Sequence, residues 1–565
     1  MLRRKLLAAI LLFGGLVSQV LAIPPGEPDG AATSASSQAG SVRQLQAEAI
    51  RTGQADWGYW GVQPSKYTQW SQHSNRLVPV YTFGIDLRSV AGQNSIYREQ
   101  RRLEQLYGYL PPGTLNPNAE YFDQTDIFHL QQSAADAGKR RIILFIFDGL
   151  DWQTTRAAAI YRAGEIRYRE GRGSGLRCQD YHGAATDFGY MVTSPYCDGG
   201  RIDVNSQTAD TSAARRRGGY DPKLGGDAPW SAPADPAYLI SQSRAQPHAY
   251  TDSAASATSM CSGIKTYNDA INMDPQGRPV ETIAQKLQRQ GWAVGAVTSV
   301  PLSHATPACA YANNVFRDDY QDIARDMVGL PSVSHRADPL PGMDVVIGTG
   351  WGDSVSTDAS QGNNFVPGNR YITAADLQTI DIEHGGRYHV VQRAAGVNGG
   401  QALAHAATEA AENHHRLLGM FGAGLTNHLP FRTADGRYDP TPGRMKIAEQ
   451  YTLEDLNENP HLSDIAIAAL TVLSQNPKGF WLMIEAGDVD WANHDDNIDN
   501  SIGAILDGDD AFQAMTDWIE HHGGWQDTVL IVTADHGHYF NLTKPEVFAE
   551  AGKQLKSATP SKASD

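Results

Sequence analysis

The chain has 565 residues, 41% hydrophobic and 19% charged, an ordinary globular composition that excludes a collagen-like, wholly disordered or multi-span membrane protein. With 46 Lys and Arg against 63 Asp and Glu the formal net charge is −17, which argues against general nucleic-acid binding because a phosphate backbone repels such a surface. An acidic chain still accepts phosphate where bound metal cations intervene.

At the N-terminus, Arg3, Arg4 and Lys5 precede an apolar run from Leu6 to Val17 and the small-residue pattern Val20-Leu21-Ala22, which reads as an export signal over residues 1–22, cleaved after Ala22. The run is shorter than the roughly 20 residues of a membrane span, so no membrane anchor is expected after cleavage, and the location implied is periplasmic or secreted. Residues 23–41 read as a Pro-, Gly-, Ala- and Ser-rich linker. Residues 42–139 read as an N-terminal accessory region whose aromatic segments, Asp56–Trp60 and Gln105–Leu110, either pack as an added layer, the reading favoured by the large areas aromatics bury, or form a carbohydrate-type aromatic surface. The main domain is placed at 140–545, with loop-rich insertions near 163–247 and 328–427, the second partly helical, and a C-terminal tail over 546–565.

Export permits disulfides. Cys178 and Cys197 bracket a stretch without clear periodicity that a loop-stabilising bridge would close, whereas Cys261 and Cys309 read as buried thiols.

Short apolar runs ending in possible metal ligands carry most of the information. Arg141–Phe147 leads into Asp148, Phe480–Ile484 into Glu485, and Thr528–Thr533 into Ala534-Asp535-His536. Continuous apolar runs of this length are strands buried on both faces, the habit of parallel sheets. Helical patterns lie between them at Thr155–Tyr161, Glu281–Arg289, Ile465–Ser474 and Asp510–His521. The alternation predicts an α/β three-layer sandwich with a central, mainly parallel sheet and helices on both faces. Ligands of such sheets bind beyond the carboxyl ends of the strands, where these acidic residues converge. Asp490 and His494 share one face of a helix at i,i+4 spacing; alone they are equally a surface pair, but their position beside a strand end favours metal. Carboxylate with imidazole suits Zn²⁺, and an oxygen set of Asp148, Glu485 and a hydroxyl suits Mg²⁺. In Thr251-Asp252-Ser253-Ala254-Ala255-Ser256, a helix starting at Ser253 aims its amides at an anion; on composition alone Ser256 is an equal candidate nucleophile. No Gly-x-Ser-x-Gly elbow supports a hydrolase triad.

From Arg141 to His538 these motifs resemble the metal-dependent alkaline phosphatases, in the superfamily that also holds phosphodiesterases, sulfatases and cofactor-independent phosphoglycerate mutases. The resemblance implies that Ser253 is the nucleophile and that Asp148 bridges the second zinc and a magnesium. Thr306, in Thr298-Ser-Val-Pro-Leu-Ser-His304-Ala-Thr306, completes the magnesium set with Glu485. Arg317, eleven residues on, grips the substrate phosphate. Asp490 and His494 fall on the first zinc, and Asp535 and His536 on the second. His304 occupies a position where the family varies in chemistry.

The implied reaction is hydrolysis of small phosphate monoesters through a phosphoserine, with release of inorganic phosphate. A homodimer is implied by family alone. One departure stands out: the family's third histidine on the first zinc comes from well beyond Ala-Asp-His, and the only histidine after His536 is His538, which faces the same side as His536 if the chain stays extended. This leaves open an inactive metal- or phosphate-binding homologue, beside a phosphodiesterase on the same scaffold. Arg317, suited to a terminal phosphoryl group, argues against the diesterase, and the lack of a Cys-x-Pro-x-Arg motif argues against a sulfatase.

Overall fold

The computed structural model describes residues 41–424 and 427–558; the export signal and residues 23–40 of the linker lie outside them. Ten strands form the central sheet: β1 (Val78–Phe83), β2 (Phe122–Asp123), β3 (Arg141–Phe147), β4 (Thr186–Val192), β5 (Ala293–Pro301), β6 (Val345–Thr349), β7 (Tyr388–Gln392), β8 (Arg416–Phe421), β9 (Phe480–Ala486) and β10 (Thr528–Thr533). Their order is β7-β8-β6-β5-β9-β3-β10-β1-β4-β2. The strands from β7 to β10 in that order pair in parallel, and β1 runs antiparallel to both of its neighbours. The apolar runs of β3, β9 and β10 occupy adjacent central places and are almost wholly buried, as their lack of polar alternation predicts.

Neighbouring side chains on β9 show the two helical layers, because successive residues of a strand point to opposite faces. Phe480 meets Trp518 of the helix Ile498–His521 with ring centroids 6.4 Å apart. Trp481 turns the other way, and its indole N–H donates to Gln131 of the helix Thr125–Asp136 at 2.7 Å. On the first face Ile498–His521 packs with Leu462–Leu473 and Trp152–Ala163. On the second, Thr125–Asp136 packs with Ser253–Ser262, which in turn meets Ala305–Cys309. The helices start at side-chain caps: Asp151 accepts from the amides of Gln153 and Thr154, and Asp252 from that of Ala255, satisfying donors that a first turn leaves unpaired.

Several expected boundaries are corrected. The region 42–139 is no outer layer, since it supplies β1 and β2, and the insertion at 163–247 supplies β4. The insertion at 328–427 supplies β6, β7 and β8, three of the seven strands of the parallel run and the whole of its outer flank. β2 has only two residues and β4 and β7 are partly exposed, while β1, β6 and β8 are buried but interrupted by Pro79, Gly348 and Gly419, so their sequences lack the unbroken apolar signature of β3. The tail placed at 546–565 begins as a helix, Pro545–Ala558. Its Phe548 is fully buried and makes an edge-on contact with Trp57, while Gly552 lies so close to the Tyr161 carbonyl that any Cβ there would collide. Cys178 and Cys197 form no bridge: both are free and belong to separate apolar clusters. Cys261 and Cys309 are buried thiols. Among the described residues no helix is long and apolar enough to cross a membrane.

The docked terminal helix yields a stability test. Phe548→Ala should cost about 3–5 kcal/mol, the usual loss for a truncated buried phenylalanine, read as a lowered denaturant midpoint. An unchanged midpoint would mean that this segment is a tail after all.

Candidate active site

The sheet order decides where the acidic residues meet. Glu485 lies near the end of β9, opposite Ile146 of β3 on one side and Thr298 of β5 on the other. Asp148 follows β3 directly, and Asp535 stands two residues beyond β10, so three neighbouring strands deliver three carboxylates to one edge. Just after Asp148 the chain turns at Gly149, whose φ of 71° favours glycine. A Cβ there would come within 2.9 Å of the His538 ring. Gly149 also donates its N–H to Asp535 Oδ1 at 2.9 Å, tying the ends of β3 and β10 together.

All nine residues singled out from the sequence lie on or beside this edge. His536 Nε2 is 3.3 Å from Asp148 Oδ1, 3.1 Å from Asp535 Oδ2 and 3.2 Å from Ser253 Oγ. The Thr306 hydroxyl is 3.5 Å from Asp148 Oδ2. Glu485 is held by the hydroxyl of Thr298. The short helix Asp488–His494 carries Asp490 and His494, with His494 Nε2 3.4 Å from Asp490 Oδ1. Ser253 opens the helix Ser253–Ser262, and its neighbour Asp252 accepts from Arg317 at 3.0 Å, fixing the guanidinium beside it. Geometry separates the two serines: Ser256 donates to the Asp535 carbonyl at 2.5 Å inside the core, whereas Ser253 Oγ faces the His536 imidazole.

Two further histidines enter the cluster. His538 Nε2 donates to Asp490 Oδ1 at 2.7 Å. His73 comes from the N-terminal region: it pairs with His538 across a two-residue antiparallel ladder, and its ring stacks on His536 with centroids 3.5 Å apart. Its Nε2 lies 3.6 Å from Asp490 Oδ1. The third imidazole expected near the first zinc is therefore not missing; two candidates stand there. Nothing in the sequence points to His73, which is 421 positions from His494 and sits in no periodic or motif context. His538 shared the extended-chain argument but carried no partner by which to choose it.

Electrostatics explain why these groups need a counter-charge. Burial, joined by Asp535, Asp490 and Glu485, pushes the Asp148 carboxyl well above its usual range. Burial also raises Glu485, and it carries Asp535 to about 7. Burial works against ionisation of Asp490 too, but His494 and the hydrogen bond from His538 outweigh it and hold that carboxyl well below the ordinary value. Desolvation drives His73 and His536 well below theirs, so both are neutral and can offer lone pairs. Arg317 loses to burial but gains more from Asp252 and Asp318, which hold it above its usual value.

The donor set fits metal cations. Asp148 Oδ1, Glu485 Oε1 and Asp535 Oδ2 are buried without a hydrogen-bond partner among the described residues, an arrangement that is costly unless a cation takes their lone pairs. Two groups have ligand atoms lying within 4.8 Å of one another: His73, Asp490, His536 and His538, and Asp148, Asp535 and His536. Mixed imidazole and carboxylate suits zinc, and the oxygen set of Asp148, Glu485 and Thr306 suits magnesium.

The chain is similar to several known proteins. A family model described as Alkaline phosphatase matches residues 207–565. Alkaline phosphatase 4 of Bacillus subtilis is 28% identical over 308 residues, covering 54% of this chain and 50% of the relative. The alkaline phosphatase of Escherichia coli K12 is 29% identical over 323 residues, covering 55% of this chain and 63% of the relative. The chain thus spans about half to two thirds of the length of these relatives. The crystal structure of Thermus thermophilus alkaline phosphatase aligns with a TM-score of 0.42 at 22% identity, over 71% of this chain and 60% of that one.

The carboxylate crowding gives a signed pH prediction. A carboxyl raised on folding keeps a proton that the unfolded chain releases, so Asp535 costs nothing below about 4, costs progressively more with rising pH, and reaches its full cost above about 7. Asp535→Asn keeps an oxygen for the two amides it caps and removes the charge. In chelator-treated protein it should therefore raise stability at pH 8 by roughly 1 kcal/mol or more, with the gain vanishing toward pH 4; with zinc present it should lower it. Thermal denaturation at both pH values reads this, and a gain independent of pH would refute the crowding.

Proposed function

Because the chain belongs to the alkaline phosphatase family, we propose that it hydrolyses phosphate monoesters, with Ser253 as the nucleophile. The observation that carries this reading is the placement of the Ser253 hydroxyl at a helix start, 3.2 Å from His536 Nε2, with Arg317 fixed beside it through Asp252. The N-terminus of the helix favours a negative phosphoryl group, and a guanidinium offers it a planar fork of N–H donors. Ser253 attacks phosphorus, the ester oxygen departs, and the resulting phosphoserine is cleaved by water to free inorganic phosphate.

Asp490 and His494 would hold one zinc, Asp148, Asp535 and His536 a second, and Asp148, Thr306 and Glu485 a magnesium. Bound metals would supply positive charge to the serine oxygen, the leaving oxygen and the phosphoryl group. This chain's own residues set the geometry. Gly149 and His536 donate their backbone N–H groups to Asp535 Oδ1, each at 2.9 Å, aiming its other oxygen at the cluster. Asp252 positions Arg317 while also accepting from the Ala255 and Asp269 amides, so it cannot swing away without breaking the helix cap. The imidazoles of His73 and His538 beside Asp490 support the enzyme over an inactive binder. Export to the periplasm or medium, and assembly as a homodimer, belong to the same proposal.

Ser253→Ala should lower monoester turnover on the order of 10³-fold or more, as loss of a nucleophile does, and abolish labelling by substrate phosphate trapped in acid. Persistent labelling would exclude Ser253. Arg317→Ala should weaken inhibition by inorganic phosphate roughly 10–150-fold, the worth of charged hydrogen bonds. A nitrophenyl monoester should be hydrolysed faster than its bis-ester, and the reverse order would favour a diesterase.

A further inference from the structure

We propose that His73, from the N-terminal region, rather than His538, is the third protein ligand of the metal held by Asp490 and His494. This rests on reading the cluster as a zinc centre. The argument turns on where each imidazole keeps its proton, because a neutral ring coordinates only through the nitrogen that lacks one.

His73 Nδ1 lies 2.8 Å from the carbonyl oxygen of Thr251. A carbonyl only accepts, so the proton sits on Nδ1 and the lone pair on Nε2. The same holds for His494, whose Nδ1 meets the carbonyl oxygen of Ser71. The two Nε2 atoms then face each other at 3.2 Å, with both protons already committed elsewhere. Two lone pairs at that distance repel, unless a cation lies between them. Two nitrogens on a tetrahedral zinc at the usual bond length are about 3.3 Å apart, which is the separation the rings already have. Asp490 Oδ1 lies 3.4 Å from His494 Nε2 and 3.6 Å from His73 Nε2, completing a three-cornered set.

His538 has the opposite arrangement. Its Nε2 is 2.7 Å from Asp490 Oδ1, a carboxylate oxygen that accepts, so the proton is on Nε2. Its Nδ1 is buried with no partner among the described residues. The nitrogen facing the cluster is thus spent on holding the Asp490 carboxylate. The ladder pairing His73 with His538 and Ser74 with Gly537 fixes both rings at once. Thr251, which holds the His73 ring, stands two residues before Ser253, so this ligand also braces the nucleophile's loop.

The test uses the full chain. After zinc loading and dialysis, the unsubstituted protein should retain two zincs per chain, His73→Ala one, and His538→Gln two, with affinity at the first site reduced no more than about 10–100-fold, as loss of a ligand's partner does. A gain of signal guards against misfolding: cobalt-loaded His73→Cys should acquire a thiolate-to-cobalt charge-transfer band, and His538→Cys should not. Two zincs retained by His73→Ala, or the band appearing in His538→Cys instead, would overturn the assignment. Loss of one zinc from His73→Ala in a protein that binds two zincs yet hydrolyses no monoester would support the ligand assignment and discard the proposed activity. A chain that binds no zinc would overturn both.

Discussion

Four buried carboxylates, Asp148, Glu485, Asp490 and Asp535, crowd one edge of the central sheet, and they cannot all carry charge there without cations among them. The rest of the structure is arranged around that constraint. β9, β3 and β10 stand side by side so that their ends deliver the acids together. The imidazoles of His73, His494, His536 and His538 pack against one another beside these acids, and His536 meets the Ser253 hydroxyl. An apolar filling of the same volume would be cheaper for folding. Retaining so many acids in one buried place makes sense as a binding site whose stability is recovered when metal enters.

The N-terminal region is bound up with this site. β1 pairs with β10, the strand that leads into Asp535 and His536, and a few residues earlier the His73–Ser74 ladder pairs with Gly537–His538. Arg76, between them, bonds to Asp151 at 3.0 Å and to the Phe540 carbonyl at 2.7 Å. The segment from His73 to Phe83 therefore clamps the turn after β10 from two sides. Disturbing it should be felt first at His536, the residue that touches both Ser253 and the Asp148–Asp535 pair.

How much of this was legible in the sequence follows from how local each signal was. β3, β9 and β10 announced themselves because burial on both faces requires an unbroken apolar run, and the acidic residues at their ends stood out for the same reason. Asp490 and His494 could be singled out from helical spacing, whereas Arg317 was reached only through the family resemblance. The strands β2, β4 and β7 were not legible, being very short or partly exposed, nor were β1, β6 and β8, whose buried runs are broken by Pro79, Gly348 and Gly419. His73 was hidden for a stronger reason. A residue brought in by a two-residue ladder leaves no periodicity, and only the fold shows that it lies opposite His538.

The central claim is that this edge is a metal centre serving Ser253. Anomalous diffraction at the zinc edge, from crystals of the zinc-loaded protein, tests it most directly. The account predicts two peaks, one bounded by Asp490, His494 and His73, the other by Asp148, Asp535 and His536 beside the Ser253 hydroxyl. Peaks lying elsewhere, or none within reach of Ser253, would contradict it.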